Sequence, residues 1–499
     1  MRIIKKARPE TGSETTLRPE DERLPIGQAF AYGLQHVLTM YGGIIAPPII
    51  IGVAAHLSPT DIALLITSCL FMGGLATLLQ TVGLPFFGSK LPLVQGVSFA
   101  GVATMVAIVA DGGIAGVFGS VLVASVIGLA ITPFFAQIVR FFPPVVTGVV
   151  ITTIGLTLMP VAASWAMGGN SSAPNYGSTA NIGLAALTLA IVLLLSKVGM
   201  ATISRLSILL AMIFGTGLAY VLGMADFSNV GRGPIAAFPI PFAFGPPTFP
   251  AAGIISMIIV ILVTLTETTA DILAVGEIVN TKVDRKRIAD GLRADMLSSA
   301  VSPIFNSFTM TAFAQNVGLV AITGIKSRFS VAAGGLVLIV LGVLPVLGRV
   351  VAALPYPVLG GAGLVLFGTV AAAGIRTLSR VDFRNTMNLV IVAASLGTGL
   401  LPIVMPTIYS RFPAWFTTIF DSGISAAALM AILLNVLFNH LTIGNSDNQS
   451  VFAAGTGREI DQNVIAALSH GDHFEDGRLL NTDGIEIPVR RGSAAISPE

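Results

Sequence analysis

Gln315 and Asn316 are neighbouring carboxamides in Phe313-Ala314-Gln315-Asn316-Val317-Gly318-Leu319-Val320-Ala321-Ile322-Thr323-Gly324, a stretch otherwise apolar enough to lie in a bilayer. Such amides are costly at that depth unless something binds them. Gly318 and the small residues around it let the backbone approach a ligand closely. Glu267 and Asp271 stand four residues apart in another apolar stretch, on one face of a helix, with no Lys or Arg in their own segment. In a low dielectric the neutral acid is the cheaper form, so either could carry a proton; the alternative is a protonated acid that only bonds a neighbouring helix. Asp295, two residues after Arg293, suits either ion coupling or a local ion pair. His36, in Gly33-Leu34-Gln35-His36-Val37, could relay protons or bond across helices. Phe99, in Gly96-Val97-Ser98-Phe99-Ala100-Gly101, offers a face for a flat ligand, or simply packs as one of 28 Phe. The set reads as a binding site at membrane depth.

The elements that position these residues must be membrane spans. The chain has 499 residues, 54% hydrophobic and 10% charged, with mean hydropathy +0.86, a composition that excludes a water-soluble domain of this length. A net charge of +2 gives no reason to expect nucleic acid. Apolar segments of spanning length, about 20 residues, fall near 28–52, 60–83, 90–109, 113–137, 144–166, 181–197, 206–224, 251–276, 288–306, 309–325, 329–348, 357–375, 386–405 and 423–440. The third, ninth and tenth are weak by hydropathy. With the N-terminus inside, the cytoplasmic loops hold fourteen Lys and Arg, among them Arg140, Lys282, Arg287, Arg328 and Arg384, and the opposite loops only Arg232, Arg349 and Arg411. This asymmetry predicts that both termini are cytoplasmic.

The chain also repeats itself. Pro144-Val145-Val146-Thr147-Gly148 matches Pro357-Val358-Leu359-Gly360-Gly361 at an offset of 213 residues, and Val94-Gln95-Gly96-Val97-Ser98 matches Ala314-Gln315-Asn316-Val317-Gly318 at 220. These pair the fifth segment with the twelfth and the third with the tenth. Each repeat therefore has seven segments, an odd number, and the second copy runs through the membrane in the opposite sense. Inverted repeats with interrupted segments at their meeting point are the plan of secondary transporters.

Other features point elsewhere less strongly. Cys69, the single cysteine, reads as a core residue, which leaves no disulfide framework and no Cys-based metal site. His56 and His440 fall at segment ends. His470, Asp472, His473 and Glu475 cluster in the polar C-terminal tail, where a solvated acidic loop is the expectation and a metal site the rival. Intramembrane aspartyl proteolysis needs two carboxylates facing each other, and no Gly-x-Gly-Asp stands at Asp271 or Asp295. No enzyme, cofactor or metal is expected.

Gln315-Asn316-Val317-Gly318, with Thr323 five residues on, resembles the signature of the nucleobase-ascorbate transporters, also called the nucleobase-cation symporter-2 family. Gly33-Leu34-Gln35-His36-Val37 resembles its first-helix motif, Glu267 and Asp271 its eighth-helix acidic pair, and Leu359-Gly360-Gly361-Ala362-Gly363-Leu364-Val365-Leu366-Phe367-Gly368 its twelfth helix. The resemblance covers about Pro25 to His440. It implies an all-α polytopic membrane protein of fourteen transmembrane segments as 7+7 inverted repeats, with short strands in segments 3 and 10. It implies a core domain at 26–137 and 250–348, a gate domain at 138–224 and 349–440, and cytoplasmic tails at 1–25 and 441–499, the latter flexible. By the same resemblance Glu267 would bond the ring nitrogens of a purine base, Gln315 would read its carbonyl edge, Phe99 would stack on it, Asn316 would support that geometry, and backbone near Gly96 and Ala314 would add contacts. His36, Asp271 and Asp295 would join Glu267 in proton coupling or hold the core together.

Gln315, where the uracil branch has Glu, is similar to the xanthine and uric acid branch, and Ala100 and Gly101 leave room for a two-ring base. Thr323-Gly324 lacks the Arg or Lys that many bacterial relatives carry after Thr. The expectation is an inner-membrane importer of xanthine and/or uric acid by proton symport and core-versus-gate movement, dimeric by resemblance, with H+ favoured over Na+. A permease for uracil or another base is the alternative, and an anion exchanger of similar fold a more distant one, since two acids beside the site would repel an anion.

Overall fold

The computed structural model describes residues 18–135, 143–198, 200–228, 230–441, 473–475 and 478–480. The first half of the chain runs α1 (Ile26–Ala54), α2 (Pro59–Thr81), β1 (Gln95–Val97), α3 (Val102–Ile131), α4 (Pro144–Thr157), α5 (Met159–Ala166), α6 (Thr179–Val198), the short α7 (Ala201–Arg205) and α8 (Ser207–Val221). The second repeats the order with α9 (Ala251–Val279), α10 (Arg285–Val301), β2 (Met310–Ala312), α11 (Ala314–Thr323), α12 (Arg328–Gly342), α13 (Pro345–Ala352), α14 (Tyr356–Leu378), α15 (Thr386–Val404), α16 (Ala414–Phe420) and α17 (Gly423–Asn435). Both halves place two helices before a strand that opens into a helix, as the inverted repeat requires.

Nine helical stretches among the described residues are long and apolar enough to cross a membrane unaided. The remaining expected segments are present in other forms. α3 joins the end of segment 3 to segment 4 in one helical run, broken at Gly113 (φ 61°, ψ −169°), a backbone state open to glycine. α12 and α13 reach spanning length and hydropathy only together, across a bend of 80°, and α8 and α11 are apolar but short. α10 carries Arg285, Lys286, Arg287, Asp290, Arg293 and Asp295 and is too polar to pass by hydropathy.

Local chemistry sets the helix ends. Ser58 caps α2, accepting from Asp61 N at 3.2 Å with Pro59 in the first turn, and Asp284 caps α10 by accepting from Arg287 N at 2.8 Å. Gly324 (φ 68°) ends α11 in the left-handed conformation.

Because lipid offers no hydrophobic drive between helices, close approach supplies the packing, and glycines allow it. A Cβ on Gly33 would meet Gly334 N at 2.5 Å, bringing α1 onto α12, and one on Gly74 would meet Gly335 O at 2.6 Å, bringing α2 onto α12. Gly155 of α4 lies against the backbone at Ala371 of α14, so the helices of the Pro144 and Pro357 repeats pack directly on each other. The main packings are α12 on α1 and α2, α9 on α3, and α14 on α4, α5 and α6.

β1 and β2 pair antiparallel, Gln95 opposite Ala312, Gly96 opposite Thr311 and Val97 opposite Met310. The equivalent strands start at 95 and 310, which is 215 residues apart and not the 220 of the sequence match: Gln95 lies on a strand, whereas Gln315 lies in the first turn of a helix beyond the partner strand. The N-terminal extension also makes contacts that the sequence does not reveal, because the turn Pro19–Asp21 is packed down and Glu20 is fully buried. Separately, His473–Glu475 (β3) and Arg478–Leu480 (β4) form an antiparallel hairpin in a second compact unit. His470 and Asp472, the other members of that cluster, lie outside the described residues.

Candidate functional site

The strand pair is the centre from which the chemistry-bearing residues radiate. Two half-spans meet there: β1 leads through Ser98 and Phe99 into α3, and β2 through Phe313 into α11. No side chain caps α11, so its first-turn amides and its positive dipole end face the break, where an electron-rich oxygen is stabilised. Gln315 is half-buried in that first turn, Ala314 is exposed, and Asn316 is 1% exposed. Phe99 is buried, its ring centroid 6.5 Å from that of Phe313 and 6.1 Å from that of Phe367. Gly96 gives the Phe313 ring its room, since a Cβ there would lie 2.5 Å from Phe313 Cε2.

Asn316 ties α11 to α1. Its Nδ2 donates to His36 O at 3.1 Å and to His36 Nδ1 at 3.0 Å, which requires a neutral imidazole with its proton on Nε2. Of the two roles open to His36, the bond across helices is made.

The carboxyls gather on α9 and α10, both of which pack against β2. Asp295 Oδ2 accepts from Thr268 Oγ1 at 2.6 Å and Oδ1 from Gln80 Nε2 at 3.3 Å; Thr268 Oγ1 is also 3.1 Å from Thr311 Oγ1 of β2. One acid thus links α2, α9, α10 and β2. The local pair with Arg293 is not formed, because Arg293 Nη1 pairs with Asp290 at 2.5 Å. Glu267 is half-buried, one residue before Thr268, and Asp271 is buried one turn further on. Glu267, Asp271 and Asp295 lie within electrostatic reach of one another, and among the described residues no ion pair engages any of them.

Several buried polar atoms here have no hydrogen-bond partner: Asp271 Oδ2, Asn316 Oδ1, Thr309 Oγ1 and both amide atoms of Gln95, which lies beside Asp295 outside bonding geometry. Each such orphan costs about 1–3 kcal/mol. Other buried orphans, such as Ser125 Oγ and Ser395 Oγ, lie elsewhere, but those at the break of two spans include amides and a carboxyl that a polar ligand or a mobile proton would satisfy.

Residues 27–408 match the Permease family, Xan_ur_permease. The chain belongs to that family. It is 41% identical over 413 residues to the xanthine permease of Bacillus subtilis (strain 168), covering 83% of this chain and 94% of that protein. It is 40% identical over 429 residues to the uric acid transporter UacT of Escherichia coli (strain K12), covering 85% and 89%. Among solved structures it is similar to the transmembrane domain of the cyanobacterial bicarbonate transporter BicA (TM-score 0.55, 17% identity, 84% of this chain and 99% of that one) and to murine Slc26a9 in the inward-facing state (0.58, 14%, 84% and 70%). At those identities the likeness is one of fold. The family inferred from the four motifs and the fold are both borne out: this is a multi-pass membrane permease, not an enzyme.

Within this permease the sequence motifs located Gln315, Asn316, Glu267, Asp271, His36, Asp295, Phe99, Gly96 and Ala314 on elements that meet at or beside the strand pair. Sequence reasoning missed Phe313, Thr311, Thr268, Gln80 and Gln95. Phe313 stands two residues before Gln315 and was within reach of the motif. The Thr residues give no such signal, because Thr264 and Thr269 of the same helix merely bond the carbonyl one turn back.

Proposed function

We propose that this permease imports xanthine and/or uric acid together with protons across the cytoplasmic membrane. The observation that carries the reading is the set of orphaned or half-exposed polar groups at the paired strands, where a flat, polar heterocycle fits the donors and acceptors offered. Glu267 bonds the ring nitrogens, Gln315 reads the carbonyl edge, Phe99 stacks on the ring, Asn316 holds α11 in register, and backbone near Ala314 and Gly96 completes the contacts. A purine preference over uracil rests on Gln315, on the small Ala100 and Gly101 beside Phe99, and on the substrates named for the relatives. Glu267 or Asp271 carries the proton, with His36 and Asp295 keeping the coupling geometry. Base and proton favour each other's binding, which is the condition for symport.

Transport proceeds by movement of a core, α1–α3 with α9–α13, against a gate, α4–α8 with α14–α17. The packing supports this division, since α12, α9 and α10 lie mainly on α1–α3, and α14 mainly on α4–α6. A narrow apolar cleft of about 20 Å³ between Ile45 and Ile49 of α1 and Trp165, Met212 and Leu366 of the gate helices is a surface able to slide. With the N-terminus inside, the buried bonds from Thr104 of α3 to Ser422 (2.8 Å) and Ser425 (3.3 Å) close the outer end.

The test is uptake of radiolabelled xanthine and, separately, uric acid into cells expressing the protein, with and without a protonophore. Saturable uptake that collapses with the protonophore supports the reading and chooses the base. Uptake of uracil alone would refute the purine assignment. Uptake of bicarbonate or sulfate alone would favour the anion carriers of similar fold.

A further inference from the structure

The turn at Pro19–Asp21 lies ahead of residues 27–408, the part that matches the family, yet it makes two ion pairs with residues far along the chain, Arg287 and Arg328. Glu20 Oε1 accepts from Arg287 Nη2 at 2.5 Å and from Thr281 Oγ1 at 3.1 Å. Arg287 also donates to Ser89 O at 2.6 Å and Lys90 O at 2.9 Å. Asp21 Oδ1 accepts from Arg328 Nε at 2.6 Å, and Arg328 donates onward to Thr81 O at 2.7 Å. Ser327 Oγ donates to Glu22 O at 2.6 Å, and the Arg328 guanidinium lies 4.4 Å from the Phe329 ring centroid.

These contacts are not scattered. Ser89 and Lys90 are on the link that enters β1, Ser327 and Arg328 where the link from α11 enters α12, and Thr281 and Arg287 at the α9–α10 junction. One short turn therefore holds, through Arg287 and Arg328, the segments that flank both half-spans that build the site, as well as the α9–α10 junction.

We propose that Glu20-Asp21-Glu22 is a staple that positions the two halves of the binding site, with Glu20 and Asp21 acting as positioning residues through Arg287 and Arg328. The inference rests on the transport reading above. Charge-assisted bonds to guanidinium forks are among the stronger restraints available to a short segment. The ion pair of Glu20 is buried, with side chains 9% and 1% exposed, so removing one partner leaves the other uncompensated. A loosened staple lets α11 and β1 drift, and sub-ångström drift at a binding site weakens substrate contacts before it weakens the fold.

The experiment compares the full chain with Asp21→Asn, Asp21→Glu, Glu20→Gln and a deletion of residues 2–17, each assayed for xanthine and uric acid uptake per molecule at the membrane. Expected are a KM raised about five-fold in Asp21→Asn and Glu20→Gln with Vmax held within about two-fold, and wild-type behaviour in Asp21→Glu and the deletion. An unchanged KM in Asp21→Asn overturns the staple, whether or not the amount of protein falls. Asp21 is 30% exposed, so that variant decides if Glu20→Gln fails to accumulate. If the wild type takes up neither base, the transport reading fails instead. Hydrogen exchange on purified wild type and Asp21→Asn then decides the staple: faster exchange confined to 82–93 and 314–323 supports it, and identical exchange refutes it.

Discussion

Replacing Asn316 by Leu isolates what one side chain contributes by joining two helices. Leu keeps the volume and removes both donors to His36, at 3.0 and 3.1 Å. The carbonyl of His36 retains the helical amide of Met40 within α1, so the main orphan is Nδ1, buried in a residue only 2% exposed. Leaving such a group unmet costs about 1–3 kcal/mol. At about 1.4 kcal/mol per decade, base affinity should fall roughly 5- to 150-fold if α11 must be returned to register on binding. The assay is the Kd of purified protein for whichever base the cells take up. A second variant, Asn316→Leu with His36→Phe, removes both partners at once, and replacing both is far less costly than orphaning one. The double variant should recover most of the affinity. Binding by Asn316→Leu within two-fold of wild type, or losses in the double variant that simply add, would refute the account.

Glu267→Gln keeps the hydrogen-bonding shape but cannot release a proton; it should abolish accumulation against a gradient while base-for-base exchange persists, and undiminished uphill uptake would remove Glu267 from coupling. Gly96→Val should lower thermal stability by about 1–3 kcal/mol and abolish uptake by displacing Phe313. Gly318→Ala, with nothing within 4 Å of the added carbon, should leave stability unchanged or raise it by up to about 1 kcal/mol. Thr104→Val deletes the hydroxyl that meets Ser422 and Ser425, and should speed labelling of Ala426→Cys by a membrane-impermeant maleimide several-fold. Equal labelling rates with and without the Thr104 hydroxyl would argue that it does not hold the outer end closed.

Spans and site were legible to different depths. Amides and acids stand out in an apolar sequence because they are expensive there, and Gln315, Asn316, Glu267 and Asp271 were found that way. Gln80, Thr268 and Thr311 were not, because their partners are distant in sequence: Gln80 reaches Asp295 across 215 residues. The repeat match erred for a related reason. It aligned two Gln residues, whereas the equivalent elements are two strands, Gln95–Val97 and Met310–Ala312, whose backbone hydrogen bonds carry no residue signature. The polar α10 passed as a weak span because its charges are spent on partners, Arg287 on Glu20 and Arg293 on Asp290, which hydropathy counts as unpaid. Asp295 looked ready to pair with Arg293, but helical spacing turns the two apart.

The strand pair has a consequence for how the chain is made. Gln95–Val97 is synthesised roughly 215 residues before Met310–Ala312, and until the second strand arrives the amides and carbonyls that face it have no ladder partner. Exposed backbone of that kind is not tolerated in hydrocarbon, so the third segment must wait beside the translocon, in water or against a chaperone, rather than in lipid. The first seven segments expressed alone should then be degraded, whereas the same piece made together with the last seven should survive. Assembly becomes a proofreading step: a nascent permease reaches the bilayer as a finished object only once its second half has been read.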